Sequence, residues 1–340
     1  MMPEIHNCPG TLATGFITYS PRCLRNLFLN RKVSHILPYD HSSENNDDAE
    51  KFLDNRKRIS ISGVQEKVSL LLEKNKLRLT EKGEQGTYIL KPIPRDIKYV
   101  DFVPANEHLT MQIAQQVYSI FTAENALIFF NSGKPAYITK RFDVKEDSSK
   151  RGIEDFASLT GKTSENAGEN FKYDLSYEEL AENLKKYVPA AAFELEKLYK
   201  LILFNYLFSN GDAHLKNFSL LETTEGDYAL SPAYDLLNTH LHVEDSYMAL
   251  EEGLFKDDYE TDSYTANGYY GYDDFYEFGL KIGLKENRMI KILDEFRLEY
   301  LQDVSSLISR SYLSDELKEG YLSMYNSRLK MINYSYSRRI

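Results

Sequence analysis

The chain has 340 residues, which is long enough for two ordinary domains or for one bilobal enzyme. Its net charge of −11 argues against direct binding of nucleic acid, because neutralising phosphates requires clustered Lys and Arg. Its two cysteines, Cys8 and Cys23, form neither a zinc pattern nor a disulfide scaffold. No apolar run approaches the roughly 18 residues of a membrane span, and the N-terminus lacks a signal-peptide core, so we expect a cytoplasmic protein without membrane contact.

Residues 60–142 predict a small β-rich unit with one inserted helix. Short apolar and alternating runs favour five strands, at 68–72, 77–80, 87–92, 127–130 and 136–142. The first three follow one another closely, which favours an antiparallel meander. Apolar residues at helical spacing predict a helix over 106–118, with Glu107 in its first turn, where a carboxylate suits the helix dipole. A short helix near 23–29 and a charged segment over 41–58, which is either a mobile connection or a weakly packed helix, precede the strands.

The rest of the chain predicts a helical unit. Ser176 and Glu179 have the spacing of a capping box and begin a helix that continues to Tyr187. Residues 190–209 predict a long buried helix, because their second half is apolar on nearly every side. We also expect an acidic surface excursion and two amphipathic helices, at 251–277, 284–309 and 313–332. The expected fold is α+β and bilobal, with the candidate chemistry where the two lobes meet.

One polar stretch concentrates that chemistry. An apolar run ends at the turn signal Asn210-Gly211, and a loop between short strands is expected to carry Asp212, His214, Lys216 and Asn217. Alone, Asn-Gly-Asp is most often a turn, and a single histidine is more often structural than catalytic. Asp212 and Asn217, however, are five apart, the spacing of the base and the metal-binding Asn in the kinase catalytic loop.

Three further residues complete a phosphoryl-transfer set. Asp235 follows in a second turn, where a second Mg²⁺-binding carboxylate is expected. Lys91 ends an upstream strand, and Glu107 is placed to pair with it. No Gly-x-Gly-x-x-Gly loop is present, and residues 60–67 contain a single glycine. Backbone N–H groups and hydroxyls can still cradle a phosphate, although the ordinary polar start of a strand is an equally open interpretation of this segment.

Six segments of the chain resemble motifs of the HipA-like serine/threonine kinases, which are toxins of bacterial toxin–antitoxin systems, and they occur in the same order as in that family. These segments are 60–67, 88–92, 106–108, 140–143, 210–219 and 230–235. The resemblance implies a protein-kinase-like fold made of an N-terminal extension, a β-rich ATP-binding lobe and a helical catalytic lobe. The corresponding boundaries are 1–59, 60–145 and 146–340.

The resemblance also implies a role for each matching residue. Asp212 is the expected proton acceptor, Asn217 and Asp235 are the expected Mg²⁺ ligands, and Lys91 with its partner Glu107 binds the ATP phosphates. Further ATP contacts are expected from the phosphate loop, the hinge and the catalytic loop, at Ser62, Gly63, Val64, Gln65, Glu66, Lys67, Lys140, Phe142, His214, Lys216 and Tyr234. The family often has Glu where this chain has Lys140, but hinge contacts to adenine are largely made by the backbone.

Regulation and partners follow from the same resemblance. Ser60 matches the serine that these kinases autophosphorylate, which ejects the loop and disables ATP binding, and Ser62 is a second candidate. Only 59 residues precede Ser60, as in the HipT branch, where the missing subdomain is a separate HipS-like protein. The implied partners are an aminoacyl-tRNA synthetase as substrate, a HipB-type helix-turn-helix antitoxin, and DNA only through that antitoxin. Two alternatives stay open: a catalytically weak kinase-fold module that binds an antitoxin, and a small-molecule kinase.

Overall fold

The structure is a computed structural model that describes residues 4–41, 66–95, 97–145, 147–298 and 300–337. Several predictions lie outside these ranges. They concern residues 42–58 of the charged segment, the serines Ser60 and Ser62, and the loop residues Gly63, Val64 and Gln65.

A five-stranded antiparallel sheet dominates the first half of the chain. Its strands are β1 (Val68–Glu73), β2 (Lys76–Leu79), β3 (Tyr88–Pro92), β4 (Asn125–Phe129) and β5 (Pro135–Lys140). Their order is β2-β1-β3-β5-β4, so the predicted meander is wrong: β1, not β2, lies between its two neighbours. The chain returns close against β1 at Gly86, where a Cβ would lie 1.9 Å from Ser69 Oγ. A larger residue here would force Ser69 to shift, so glycine suits the close approach of the chain to β1 just before β3.

Strand alternation gives this sheet two different faces. One face, which includes Leu70, Leu90 and Ile138, packs against the N-terminal segment and helix α1 (Pro21–Phe28) in a separate core cluster. The side chain of Lys91, one residue along from Leu90, lies on the opposite face, as does that of Tyr137 in β5. The alternation therefore places the charged side chain of Lys91 on the sheet face that points away from the N-terminal segment.

Helix α2 (Val103–Gln116) connects the sheet to the rest of the molecule. It begins three residues before the predicted start, so Glu107 lies one turn further into the helix than expected. Thr110 on α2 is hydrogen-bonded through its hydroxyl to the hydroxyl of Tyr321, at 2.8 Å. Just beyond α2, the ring of Tyr118 packs 4.5 Å from the ring of Phe296. The β-rich and helical parts thus share one core.

The rest of the described chain is mainly helical, as predicted. Its helices are α3 (Phe156–Leu159), α4 (Ser164–Ala167), α5 (Tyr177–Tyr187), α6 (Ala191–Leu207), α7 (Asp262–Asn267), α8 (Tyr272–Lys281), α9 (Glu286–Leu298), α10 (Leu301–Arg310) and α11 (Asp315–Ile332). A small antiparallel sheet, in the order β6-β7-β8, contains β6 (Ile153–Asp155), β7 (Ser219–Glu222) and β8 (Tyr228–Leu230). The capping box at Ser176 and the buried helix α6 are confirmed. Within the described ranges, no helix has the length and apolar character needed to cross a bilayer.

Three predictions in this half are wrong. The polar stretch after residue 209 lies between α6 and β7, a helix and a strand, rather than between two strands. The single helix expected over 284–309 is two helices, because Tyr300 leaves helical geometry and packs its ring against Tyr118. Residues 251–277 are not a surface excursion: they contain α7 and part of α8, and they bury Leu254 and Phe255 in the core. In these cases tertiary packing overrides local composition.

Candidate active site

A buried lysine links the two halves of the molecule. Lys91 Nζ on β3 donates to Glu107 Oε1 on α2 at 2.6 Å, and it also donates to Asp235 Oδ1. Burial alone would lower the pKa of Lys91, but the Asp235 and Glu107 carboxylates raise it above its ordinary value. Burial opposes ionisation of Asp235, yet Lys67, 3.7 Å away, and Lys91 hold its pKa well below the usual range. The ion pairs therefore keep a carboxylate charged at the junction of sheet and helices.

The backbone at Asp235 is in the left-handed region, with φ at 56°. Non-glycine residues rarely adopt this conformation, and such strain tends to persist where surrounding contacts enforce it. The preceding residue supplies one such contact, because the Tyr234 hydroxyl donates to the carbonyl oxygen of Lys216 at 2.8 Å. This bond ties the Asp235 turn to the stretch that carries Asp212 and Asn217.

The catalytic-loop candidate begins where α6 ends. The Asn210 side chain donates to Oδ1 of Asn205 at 2.9 Å, and the Gly211 N–H donates to Oγ1 of Thr239 at 2.8 Å. A Cβ at Gly211 would lie 2.4 Å from Oδ2 of Asp245, so glycine is required by close approach rather than by its φ angle. These contacts fix the backbone immediately before Asp212.

Asp212 lies at the open side of this loop with about half of its side chain exposed (52%). The Tyr173 hydroxyl donates to Asp212 Oδ1 at 2.6 Å, and His214 Nε2 lies 3.8 Å from the same oxygen. Burial lowers the pKa of His214 to about 4, so this imidazole is neutral near pH 7. Its buried Nδ1 has no hydrogen-bond partner among the residues that the structure describes. The carboxylate is thus oriented by a tyrosine and is free to accept a further hydrogen bond.

Asn217 and Asp235 line one cavity of about 160 Å³, together with Lys91, Glu107 and Asp212. Asn217 ends a short 3₁₀ turn, and its Oδ1 accepts a hydrogen bond from the His214 N–H at 3.1 Å, which leaves the second lone pair of that oxygen. An amide oxygen and a carboxylate are donors that suit Mg²⁺. No group of three or more His, Cys, Asp or Glu that could hold a metal occurs in the described part of the chain. Mg²⁺ is usually bound by one or two carboxylates plus water and substrate phosphates, so the donor set fits this ion.

A second cavity of about 310 Å³ adjoins the first. Five residues line both cavities, namely Lys67, Lys91, Lys216, Tyr234 and Asp235. The second cavity continues to Lys140 and Phe142, and the Phe142 ring lies 5.7 Å from the ring of Tyr234. We name the two cavities together the nucleotide cleft. It has a strongly charged end near Asp212 and a partly apolar end near Phe142.

The described residues predicted for the site come together in this cleft, with one exception. Those that line it are Lys67, Lys91, Glu107, Lys140, Phe142, Asp212, His214, Lys216, Asn217, Tyr234 and Asp235. The exception is Glu66, whose carboxylate lies 3.3 Å from His41 Nε2. Sequence reasoning missed Tyr173 and Thr239. No spacing signal could have selected one hydroxyl from a chain with 26 tyrosines, because both contacts depend on the fold.

Comparison with known proteins identifies the family of the chain. The family model described as the HipA-like C-terminal domain matches residues 59–304. A putative kinase of Haemophilus influenzae is 27% identical over 288 residues, which cover 81% of this chain and 82% of that protein. The serine/threonine-protein kinase toxin HipA of Shewanella oneidensis is 26% identical over 292 residues, which cover 81% of this chain but only 63% of that protein.

A solved structure supports the fold. It is the Shewanella oneidensis HipA, HipB and operator DNA complex, which matches with a TM-score of 0.60 at 23% identity. The match covers 80% of this chain and 63% of that one. The expected α+β kinase-like fold is therefore confirmed.

Proposed function

The chain belongs to the HipA-like family, and from this premise we propose that it is an ATP- and Mg²⁺-dependent serine/threonine protein kinase. The observation that carries the proposal is the position of Asp212. Its carboxylate borders both the nucleotide cleft, which holds Lys91, Asn217 and Asp235, and a separate open groove. A carboxylate at such a junction can meet a hydroxyl from the groove and the phosphate of a nucleotide in the cleft.

In the proposed reaction the acceptor oxygen forms a bond to the γ-phosphorus of ATP. The bond between that phosphorus and the β–γ bridging oxygen breaks, ADP leaves, and the hydroxyl proton passes to Asp212. Lys91, held by Glu107, binds the phosphates, and Asn217 and Asp235 would hold Mg²⁺. The metal supplies charge neutralisation at the phosphates when bound. Most of the acceleration comes from positioning and charge stabilisation, because phosphoryl transfer requires little covalent chemistry from the protein.

We propose the same boundaries that the resemblance implies: an extension over 1–59, an ATP-binding lobe over 60–145 and a catalytic lobe over 146–340. Two features support them. The described part of the extension packs on the sheet face opposite Lys91. Strand β5 ends at Lys140, and the next strand, β6, pairs with β7 in the other sheet.

The biological context is proposed from the family. In the Shewanella structure HipA is in complex with HipB and operator DNA, which supports a HipB-type antitoxin for this chain and DNA contact through it. An aminoacyl-tRNA synthetase as substrate, a HipS-like partner, the HipT branch and a cytoplasmic location rest on the resemblance of the sequence. Identifying the protein labelled in a cell extract tests the substrate, and co-expression with each candidate partner tests binding.

Autophosphorylation of Ser60 or Ser62 is the proposed control of ATP binding. A phosphate would add about −1.5 to −2 charges beside the nearby Arg56, Lys57 and Arg58. The double substitution Ser60→Ala and Ser62→Ala is expected to abolish self-labelling. Unchanged self-labelling together with unchanged ATP affinity contradicts this control.

The activity itself is tested by Asp212→Asn, with the exposed Asp303→Asn as a matched control. Cell extract is incubated with radioactively labelled ATP and each variant. We expect Asp212→Asn to lower protein labelling at least about 100-fold, because it removes the proton acceptor, and to retain Mg-ATP binding and the unfolding midpoint. Labelling equal to that of the unsubstituted protein overturns the assignment.

The same experiment separates the alternatives. Mg-ATP binding without any transfer by the unsubstituted protein supports a catalytically weak binding module. Label that appears in a small molecule but in no protein supports a small-molecule kinase.

A further inference from the structure

A groove leads away along the surface from Asp212. Its first part is a cavity of about 470 Å³ that begins at Gly211 and Asp212 and includes Asp245 and Glu251. Its second part is a cavity of about 760 Å³, which shares Asp245, Ser246, Ala249 and Glu251 with the first. We name the two parts together the acidic groove. It is continuous from the proposed proton acceptor to the surface around α7.

The side chains that line this groove carry mainly negative charge. Besides Asp212 they include five carboxylates, those of Asp245, Glu251, Glu252, Asp258 and Glu260, and neither Lys nor Arg is among the described lining residues. Asp245 is engaged internally, by His240 at 3.0 Å and by the Thr239 hydroxyl. Glu251, Glu252, Asp258 and Glu260 are exposed, and in the described chain none of them forms an ion pair with Lys or Arg.

The carboxylates also act on one another. Partial burial raises the pKa of Glu252, and the neighbouring Glu179, Asp257 and Asp258 raise it further. Mutual repulsion of this kind is relieved when a cation binds, whereas an acidic or phosphorylated segment would increase it. The groove is therefore electrostatically complementary to positive charge.

Glu251 is fixed relative to the proposed proton acceptor. Its backbone N–H donates to the carbonyl oxygen of Tyr173 at 2.8 Å, and the hydroxyl of Tyr173 donates to Asp212 Oδ1 at 2.6 Å. Glu251 lines both parts of the groove, whereas Glu252 and Asp258 line only the outer part. Of the four exposed carboxylates, Glu251 is thus the one that borders the same cavity as Asp212.

We propose that the acidic groove binds a basic segment of the protein substrate, so that the phosphorylated serine or threonine is flanked by Lys or Arg. This inference rests on the proposed kinase activity and adds the charge of the residues that flank the phosphorylated serine or threonine. Glu251 contacts the cation nearest the acceptor hydroxyl, and Glu252 and Asp258 contact cations further along the segment. Opposite charges at such a surface contribute to partner choice and to the rate of association.

The test uses synthetic peptides with one central serine, flanked by Lys and Arg, by Ala or by Glu. Steady-state kcat/KM is measured for the full chain and for Glu251→Gln, Glu252→Gln and the control Glu319→Gln, an exposed glutamate on α11 outside the groove. We expect the basic peptide to be preferred, and kcat/KM for it to fall about fivefold in Glu251→Gln, the effect of one partly exposed ion pair. The neutral peptide, KM for ATP and the control variant are expected to be unaffected. Added salt should lower kcat/KM for the basic peptide alone.

Three results overturn the inference: no phosphorylation of basic peptides, equal kcat/KM for basic and neutral peptides, or an equal loss in Glu251→Gln for both. The failure of the kinase proposal is recognised separately, because it would abolish the Asp212-dependent labelling of extract proteins by the unsubstituted chain, a readout that uses no peptide. If that labelling is present and the peptides show no preference for basic flanks, only the acceptor chemistry is wrong.

Discussion

The buried ion pair between Lys91 and Glu107 predicts an effect on stability that is independent of activity. Lys91 is 4% exposed and Glu107 is 2% exposed. Lys91→Met keeps a long apolar side chain but removes the ammonium group that neutralises Glu107. Breaking a buried pair by removing one partner costs about 3–5 kcal/mol of unfolding free energy. We expect about 3 kcal/mol, because Glu107 can bind a proton and so avoid a buried charge.

Because Glu107 can bind a proton in Lys91→Met, the loss of unfolding free energy depends on pH. Burial already raises the pKa of Glu107 in opposition to Lys91, so removing the lysine raises it further. An acid whose pKa is higher in the folded state keeps its stability contribution below the unfolded pKa and loses it as the pH rises through the folded pKa. The variant is therefore least destabilised near about pH 5 and most destabilised near about pH 8, by about 1.4 kcal/mol for each unit of pKa shift.

Urea unfolding across this pH range measures the effect. Far-ultraviolet circular dichroism and tyrosine fluorescence are suitable probes, since the chain has 26 tyrosines and no tryptophan. The double variant Lys91→Met with Glu107→Gln is the informative control: it should recover most of the stability and lose most of the pH dependence, because the Glu107 carboxylate is gone and Asp235 keeps Lys67 as its partner. A single variant as stable as the unsubstituted protein at every pH, or a double variant less stable than the single one, refutes the reasoning.

Three further substitutions concern the site itself. Tyr173→Phe removes the hydroxyl that donates to Asp212, so kcat should fall about fivefold with KM for ATP unchanged, and equal kcat would exclude an orienting role. Gly211→Ala places a Cβ 2.8 Å from the carbonyl oxygen of Ser246, so the loop must shift, and we expect kcat to fall more than about tenfold. Gly320→Ala, where the nearest atom is 3.5 Å away, is the matched control, and equal kcat in both variants would contradict the close-approach argument. Phe142→Ala removes apolar surface from the nucleotide cleft and should raise KM for ATP about fivefold, which a titration with ATP checks.

Local spacing alone predicts the core of the site, whereas the hinge residues Lys140 and Phe142 are expected only from the family resemblance. Asp212 and Asn217 lie on one short loop, and strand alternation alone places Lys91 on the face opposite Leu90. The pairing of Lys91 with Glu107 was predictable because the next helix begins soon after the strand ends, so few geometries are available to the connection. These features depend on contacts within a single element or between neighbouring ones.

The parts that could not be predicted depend on contacts between distant segments. The strand order brings Gly86 into close approach with Ser69, a contact between segments that no strand propensity encodes. The acidic stretch 251–277 had the composition of a surface loop, but the burial of Leu254 and Phe255 draws it into the helical core. Tyr173 reaches Asp212 because the backbone of its segment pairs with that of Glu251, almost 80 residues later in the chain. Because the sequence does not show such contacts, it gives no reason to select Tyr173 from the other tyrosines.

Residues 239–245 connect the loop that carries Asp212 to the acidic groove. The Thr239 hydroxyl accepts the Gly211 N–H, and Asp245 contacts both Thr239 and His240, so residues 239–245 position the loop that carries Asp212. The chain continues from this segment directly to Glu251 and the acidic groove. Asp245 therefore has a structural role besides its charge, and replacing it would disturb both the position of Asp212 and the acidic groove. The Glu251 side chain makes none of these bonds, so an effect of Glu251→Gln that is confined to basic peptides reports on substrate charge and not on the position of Asp212.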